Sequence, residues 1–385
     1  MSYKRSLNPP KSSFFLFGPR GTGKSTWLKD NFKPDLRIDL LRSKELLELS
    51  SDPSLLRKRI LSLSENSKIV IDEIQKLPQL LDEVHSIIFD FDNKYQFALT
   101  GSSARKLKRN HANLLAGRAV KRLFYPLTQK ELRGDFNLDH CLAFGSLPAV
   151  VNLDDYDDKK DFLYSYVDTY LKEEIQTEAA VRNIPNYNRF LKHAALRNGH
   201  VVNINSLSRD AGVARSTLDG YFKILEDTLL GIFIEPLHLK AKVKEVSNPK
   251  FYFFDCGVVR CLSNELENPV GIHEKGLLLE TYFLNEIRAY SSYFKKKWEI
   301  YYWGTPSGGE VDFIIVEGKK KIGIEIKASQ SWKKEYDHSL GVLVSEKKID
   351  KAFGVYLGEH KINSGKIQVL PLLDFLNLLN SDKLF

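Results

Sequence analysis

Short apolar runs at residues 14–17, 36–40, 68–72, 95–100 and 120–124 punctuate the first third of the chain, and the stretches between them carry helical spacing of apolar positions. Each run has the length of a buried strand, and strands alternating with helices predict a parallel sheet covered by helices. Ligands of such sheets lie at the carboxyl ends of the strands, where Gly18, Asp72 and Thr100 all fall. From about Asp157 the pattern turns helical, and residues 162–171 place apolar and aromatic side chains at helical spacing, as a core-facing stripe does. Residues 203–225 read as helix, tight turn at Gly212 and second helix, with Leu207, Ala211, Val213, Leu218, Phe222 and Leu225 as their shared core. Runs at 231–235 and 251–254 supply two strands, with the basic Lys240-Ala-Lys-Val-Lys244 between them. After a helical run at 276–285, residues 309–316 and 321–327 predict a strand hairpin across a four-residue turn. In its second strand Ile322, Ile324 and Ile326 fall on one face, Glu325 and Lys327 on the other.

At 385 residues the chain exceeds one ordinary core, and the changes of pattern predict three units: 1–155, 156–265 and 266–385. A net charge of +8 permits an acidic partner such as nucleic acid, but a modest surplus over a long chain also serves solubility. No stretch has the apolar length of a bilayer span, and residues 1–10 carry charges and prolines without a signal-peptide core, so the expectation is a cytoplasmic protein with no membrane partner. Cys141, Cys256 and Cys261 form no C-x-x-C pair, and their odd number argues against a disulfide framework, so they are expected as small buried residues.

Candidate chemistry gathers in two places. Gly18-Pro-Arg-Gly-Thr-Gly-Lys-Ser25 follows the first strand and opens a helix through Thr26 and Trp27, the context of a phosphate-binding loop. Its glycines let successive N–H groups point at phosphate oxygens, Lys24 would hold the β- and γ-phosphates of ATP, and Ser25 would hold Mg²⁺. Lys68-Ile-Val-Ile-Asp-Glu-Ile74 is a strand ending in two acids: Asp72 suits the ion, and Glu73 suits polarisation of the attacking water. Thr100 and Ser102, at the end of another strand, are candidate γ-phosphate sensors; a plain turn is the alternative. Arg118 suits an arginine finger reaching a neighbouring subunit's nucleotide, which would make the protein a homo-oligomer, or else a solvated arginine.

The second place is the C-terminal hairpin. Asp312 and Glu325 can hold Mg²⁺ or Mn²⁺ that activates water, Lys327 can position the nucleophile, and Glu280 on the preceding helix offers a third acid. This D…E-x-K pattern is that of PD-(D/E)xK nucleases, with a catalytically silent version of the same fold as the alternative. On the helix-turn-helix, Arg215, Ser216, Thr217 and Lys223 could face a DNA duplex, with the two strands as a wing; such units also serve as packing modules.

Leu114-Leu-Ala-Gly-Arg118, Tyr125-Pro-Leu-Thr-Gln-Lys-Glu131, Phe144-Gly-Ser-Leu-Pro148, Tyr170-Leu-Lys-Glu-Glu174, Pro249-Lys-Phe-Tyr-Phe-Phe-Asp255 and Glu310-Val-Asp-Phe313 accompany these motifs. Together they resemble a family of bacterial and archaeal AAA-type ATPases with a C-terminal restriction-endonuclease-like domain of unknown function. The resemblance covers nearly the whole chain and implies ATP binding with no agreed substrate. Gly145-Ser146 departs from a pair of glycines common there. The expected fold class is α/β: a P-loop NTPase with a parallel sheet, a helical winged-helix segment, and an α/β nuclease-like domain. The expected function is Mg²⁺-dependent ATP hydrolysis coupled to DNA binding and cleavage, or a nucleotide-controlled switch whose nuclease-like part cuts nothing.

Overall fold

The computed structural model describes residues 2–101, 117–171, 181, 183–239 and 244–385. Ser102, residues 114–116 and all but the last residue of the basic segment 240–244 lie outside the described residues.

The first five runs form strands β1 (Phe14–Phe17), β2 (Leu36–Asp39), β3 (Lys68–Asp72), β4 (Gln96–Gly101) and β5 (Val120–Leu123). They pair in parallel in the order β2-β3-β4-β1-β5. Side-chain alternation serves two cores at once. Phe15 and Phe17 join Ile69, Ile71, Phe97 and Leu99 against the helix Leu80–Asp90. Phe14 and Leu16 join Val70 and Ala98 on the opposite face, where Trp27, Phe124, Ala289 and Tyr293 cover them. Ala289 and Tyr293 belong to the 22-residue helix Ile272–Tyr293. A helix from the C-terminal half therefore closes one face of the N-terminal sheet.

Downstream, one continuous core runs from Leu127 to Leu384. The helix Tyr156–Ser165 continues through a wider turn, Tyr166–Leu171, and buries Leu163, Tyr166 and Val167. Helices Ile204–Ala211 and Arg215–Asp227 flank Gly212, which takes a left-handed φ of 62°, and bury all six predicted core residues between them. Strands β6 (Gly231–Ile234) and β7 (Lys250–Phe253) form an antiparallel ribbon with Ile234 opposite Lys250.

The remaining strands β8 (Glu299–Gly304), β9 (Glu310–Glu317), β10 (Lys320–Lys327), β11 (Lys351–Tyr356), β12 (Ile362–Ser364) and β13 (Ile367–Pro371) form a second sheet ordered β12-β13-β11-β10-β9-β8. The β9–β10 hairpin is tighter than predicted. Pairing extends to Glu317 opposite Lys320, and Gly318 turns the chain at φ 61°, a conformation glycine adopts without cost. Phe313, Ile324 and Phe353 share a core with Phe283 of the long helix and Phe375 of the helix Leu372–Asn380, while Val311 and Ile314 pack on Leu340 and Leu343 of the helix His338–Ser345. None of the three cysteines forms a disulfide, and all three are buried.

Candidate functional sites: a phosphate-loop cleft and an acid pocket

The loop after β1 curls because Gly21 and Gly23 hold φ of 79° and 90°, and because a Cβ on Gly18 would lie 2.3 Å from the Phe124 carbonyl oxygen. Lys24 starts the helix Lys24–Trp27, which continues as a wider turn through Leu28–Phe32. Its ammonium donates to the carbonyls of Gly18 at 2.6 Å and Pro19 at 3.0 Å. Thr22 Oγ1 donates to the Pro19 carbonyl at 2.8 Å. Beside the loop, Ser25 Oγ donates to Asp72 Oδ2 at 3.0 Å, and Arg37 reaches the same oxygen at 2.8 Å.

Strand order explains the role of Thr100. Because β4 lies between β1 and β3, Thr100, its last residue but one, stands between the loop and Asp72. It is wholly buried, donates to Asp72 Oδ1 and accepts the Glu73 N–H at 3.2 Å. The hydroxyl thus fixes both acids from below. Glu73 sits at φ 60°, a left-handed conformation that costs a non-glycine residue about 1 kcal/mol or more, and its carboxylate accepts from Gln75 at 2.6 Å.

Arg20, Gly21, Gly23, Lys24, Ser25, Thr26, Asp72 and Glu73 line a cavity of about 500 Å³. That volume suits a small-molecule ligand. Gly18, Pro19, Thr22 and Thr100 are not among the residues that line it. The Ser25 hydroxyl and the Asp72 carboxylate, side by side, are the hard oxygen donors a Mg²⁺ ion takes, so the residues fit that ion. Arg118 is not part of the cavity's lining: its guanidinium meets His85 and lies 5.3 Å from the Phe89 ring, both on the helix Leu80–Asp90.

The sequence reading missed Arg5. This buried residue donates to the Thr22 carbonyl at 2.7 Å, the Tyr125 carbonyl at 2.6 Å and the Tyr293 hydroxyl at 3.0 Å. Its Nε lies 3.1 Å from Glu131, so one guanidinium ties the loop to the long helix. Tyr166 adds a bond to the Arg20 carbonyl at 3.0 Å.

Glu280, Asp312, Glu325 and Lys327 line a second cavity, of about 690 Å³, together with Glu310. Each acid already has a partner within the chain. Asp312 Oδ2 accepts the Ile326 N–H at 2.7 Å, Lys327 pairs with Glu325 Oε1, and Glu280 accepts from the Tyr252 hydroxyl at 2.6 Å. Lys250, 3% exposed, pairs with Glu310 and places Nζ 3.5 Å from Glu280. Burial pushes the Glu280 carboxyl up to about 7 against the pull of Lys250, and burial with Asp312 pushes Glu325 well up. Burial works against the Lys250 ammonium, but Glu280, Asp312 and Glu310 outweigh it and strengthen its hold on the proton.

Among the described residues no three Asp, Glu, His or Cys side chains are grouped as ligands of one ion. The expected set Glu280, Asp312 and Glu325 shares a cavity but is not drawn into a cage, because lysines and a tyrosine hold two of its members. With Lys250 in place these residues do not fit a resident divalent ion. Lys250 and Tyr252 were not singled out. The available signal was one lysine opening an aromatic strand, Lys250-Phe-Tyr-Phe253, where a buried cation needs an acid.

On the helix-turn-helix, Arg215, Ser216 and Lys223 are exposed and Thr217 is half-buried. Lys223 lies 3.8 Å from both Glu226 and Asp227, and Asp219 is exposed between the two cations.

The cleft, its loop and its parallel sheet define a P-loop ATPase-type module. In agreement, the family described as AAA domain matches residues 10–133, and two domains of unknown function, DUF8612 and DUF4143, match residues 135–268 and 275–375. An uncharacterized protein of Mycobacterium tuberculosis is 23% identical over 376 residues, covering 96% of this chain and 82% of that protein. Another, from Methanocaldococcus jannaschii, is 23% identical over 342 residues, covering 81% and 74%. Among solved structures, a RuvB variant of Thermotoga maritima aligns with 57% of this chain and 81% of its own at 17% identity and a TM-score of 0.29. No helix among the described residues is long and apolar enough to cross a membrane.

Proposed function

We propose that the chain is a Mg²⁺-dependent ATPase whose nucleotide state controls a DNA-binding C-terminal half, organised as units 1–155, 156–265 and 266–385. The observation that carries the reading is the meeting of Lys24, Ser25, Asp72 and Glu73 in one cavity. Lys24 would leave the loop carbonyls for the β- and γ-phosphates, Ser25 and Asp72 would hold Mg²⁺, and Glu73 would polarise the attacking water. The ion would supply charge neutralisation at the phosphates. Arg118 would act on a neighbouring subunit's nucleotide only after leaving His85.

DNA would lie on the winged helix, with Arg215, Ser216, Thr217 and Lys223 at the duplex. The restriction-endonuclease-like reading of the acid pocket makes cleavage the accompanying activity. Lys250 among the acids favours the second reading, a switch or interaction protein whose nuclease-like part is silent.

The test incubates single- and double-stranded DNA and RNA with Mg²⁺ or Mn²⁺, with and without ATP, and compares wild type with Asp312→Asn. Metal-dependent cutting lost in the variant establishes cleavage. Intact substrates beside continuing ATP turnover remove it and leave the binding reading. In parallel, Arg215→Ala should weaken duplex binding and flatten its salt dependence, with the log–log slope falling by about 1. Unchanged binding would take the helix pair off the duplex.

A further inference from the structure

We infer that Lys250 is the resident cation of the acid pocket, and that its ammonium keeps divalent ions out until the β6–β7 ribbon moves. The inference rests on reading that pocket as a restriction-endonuclease-like acid site.

Four carboxyl groups, Glu280, Glu310, Asp312 and Glu325, line one cavity, which the exposed Glu335, 3.7 Å from Lys333, also borders. Such a cluster attracts a cation of some kind, because unpaired carboxylates in a poorly solvated place are costly. The chain brings its own. Lys250 opens β7, within salt-bridge distance of Glu280 and Glu310, and is 3% exposed. Two residues on, on the same face of the strand, Tyr252 donates its hydroxyl to Glu280. β7 therefore delivers a cation and a hydrogen-bond donor together to the acid that an ion would need as a ligand.

Glu325 Oε2 tells the other half. The residue is 7% exposed, and this oxygen has no hydrogen-bond partner although its sister oxygen pairs with Lys327. A buried, unpartnered acceptor on a residue that lines a cavity of about 690 Å³ leaves that carboxyl short of one donor or cation. Two lysines meet these four acids, so the pocket keeps an appetite for positive charge while Glu280 and Glu310 are withheld from it. Removing the ammonium adds one uncompensated negative charge beside an incoming dication in a low-dielectric place, and should tighten its binding at least about tenfold.

The ribbon also makes the gate responsive. β7 pairs with β6, which follows the helix Arg215–Asp227 after three residues, so displacement of that helix pair displaces Lys250. Lysine and ion would compete for the same acids.

The experiment measures Mn²⁺ binding to the full chain without nucleotide by electron paramagnetic resonance, for wild type, Lys250→Met, Lys250→Arg and Lys250→Met/Asp312→Asn. Lys250→Met is expected to bind one ion at least about tenfold more tightly than wild type, Lys250→Arg to behave as wild type, and the Asp312→Asn change to abolish the gain. Equal affinity in wild type and Lys250→Met overturns the gate but keeps the acid site. Absence of any Asp312-dependent ion in every protein overturns both. Should Lys250→Met not fold, amine acylation of Lys250 in wild type, followed by mass spectrometry, decides. Saturating Mn²⁺ should speed its modification at least threefold, and Asp312-dependent ion binding with Lys250 still protected overturns the gate.

Discussion

The two clefts carry comparable numbers of charged groups but place their lysines differently. In the phosphate-loop cleft Arg37 pairs with Asp72, while the loop's own ammonium, Lys24, donates to the carbonyls of Gly18 and Pro19. Neutral carbonyls lose easily to a phosphate, since a hydrogen bond to an ionised acceptor is roughly twice as strong. In the acid pocket the charges are paired with each other, Lys250 with Glu280 and Glu310, Lys327 with Glu325. A loop ammonium that donates to neutral carbonyls can exchange them for a charged acceptor. A pocket that closes its own ion pairs has its ligand built in, and function there requires a pair to break.

The sharpest way to break this contrast is to remove the principal cation of the first cleft and a principal acid of the second. Lys24→Ala should lower ATP turnover by about 10²–10³-fold, the usual loss on deleting a main electrostatic partner of the transition state. Asp312→Asn should leave turnover within about twofold, because the two cavities share no lining residue among those described. Phosphate release at saturating ATP measures both. A large drop in Asp312→Asn would mean that the pockets form one functional unit.

A smaller effect tests whether the first cleft depends on buried positioning. Thr100→Val keeps the shape but removes the donor to Asp72 and the acceptor for the Glu73 N–H. Turnover should fall about tenfold with little change in ATP affinity, because the two acids lose their register and not their charge. Thr100→Ser should restore most of the rate. Were ATP affinity lost instead, Thr100 would act on the nucleotide directly, as the sensor expectation had it.

What the sequence made legible follows the same divide. The loop, the strand ending in Asp72 and Glu73, and the five parallel strands were readable because each rests on local pattern: apolar runs, glycine spacing and acids at a strand end. The helix pair around Gly212 was readable for the same reason. The partners of those groups were not. Arg5 meets Tyr293 across 288 positions and Lys250 meets Glu310 across 60, and no periodicity encodes contacts made by the fold as a whole. The long helix Ile272–Tyr293 announced itself only as a helix, yet its first half carries Glu280 in the acid pocket and its C-terminal end caps the N-terminal sheet through Tyr293. Thr100 falls between these cases. Its place at a strand end was visible, but its bond to Asp72 depends on β4 lying between β1 and β3, which is a matter of topology.

Glu286 offers the mildest perturbation, and it falls between the two clefts. It is 2% exposed on the long helix and accepts the Gln129 N–H and the Tyr282 hydroxyl, each at 2.6 Å. Burial pushes its carboxyl up to about 7, with those two bonds pulling the other way. A carboxyl whose affinity for protons is higher in the folded state than in the unfolded one, where it titrates near about 4.3, stabilises the fold fully below that lower value. The contribution drains away as pH rises through about 7. Asp255 and Glu280, raised to about 6 and about 7, bend stability the same way. Glu286→Gln keeps an acceptor for Gln129 and carries no titrating proton. The variant should therefore melt higher than wild type at about pH 8 by on the order of 2 °C, match it near about pH 4.5, and show a flatter decline between. Thermal melts at matched ionic strength across that range read the difference. An unchanged slope would mean that Glu286 stays ionised at the junction and that its negative charge, not its proton, holds the long helix to the phosphate-loop module.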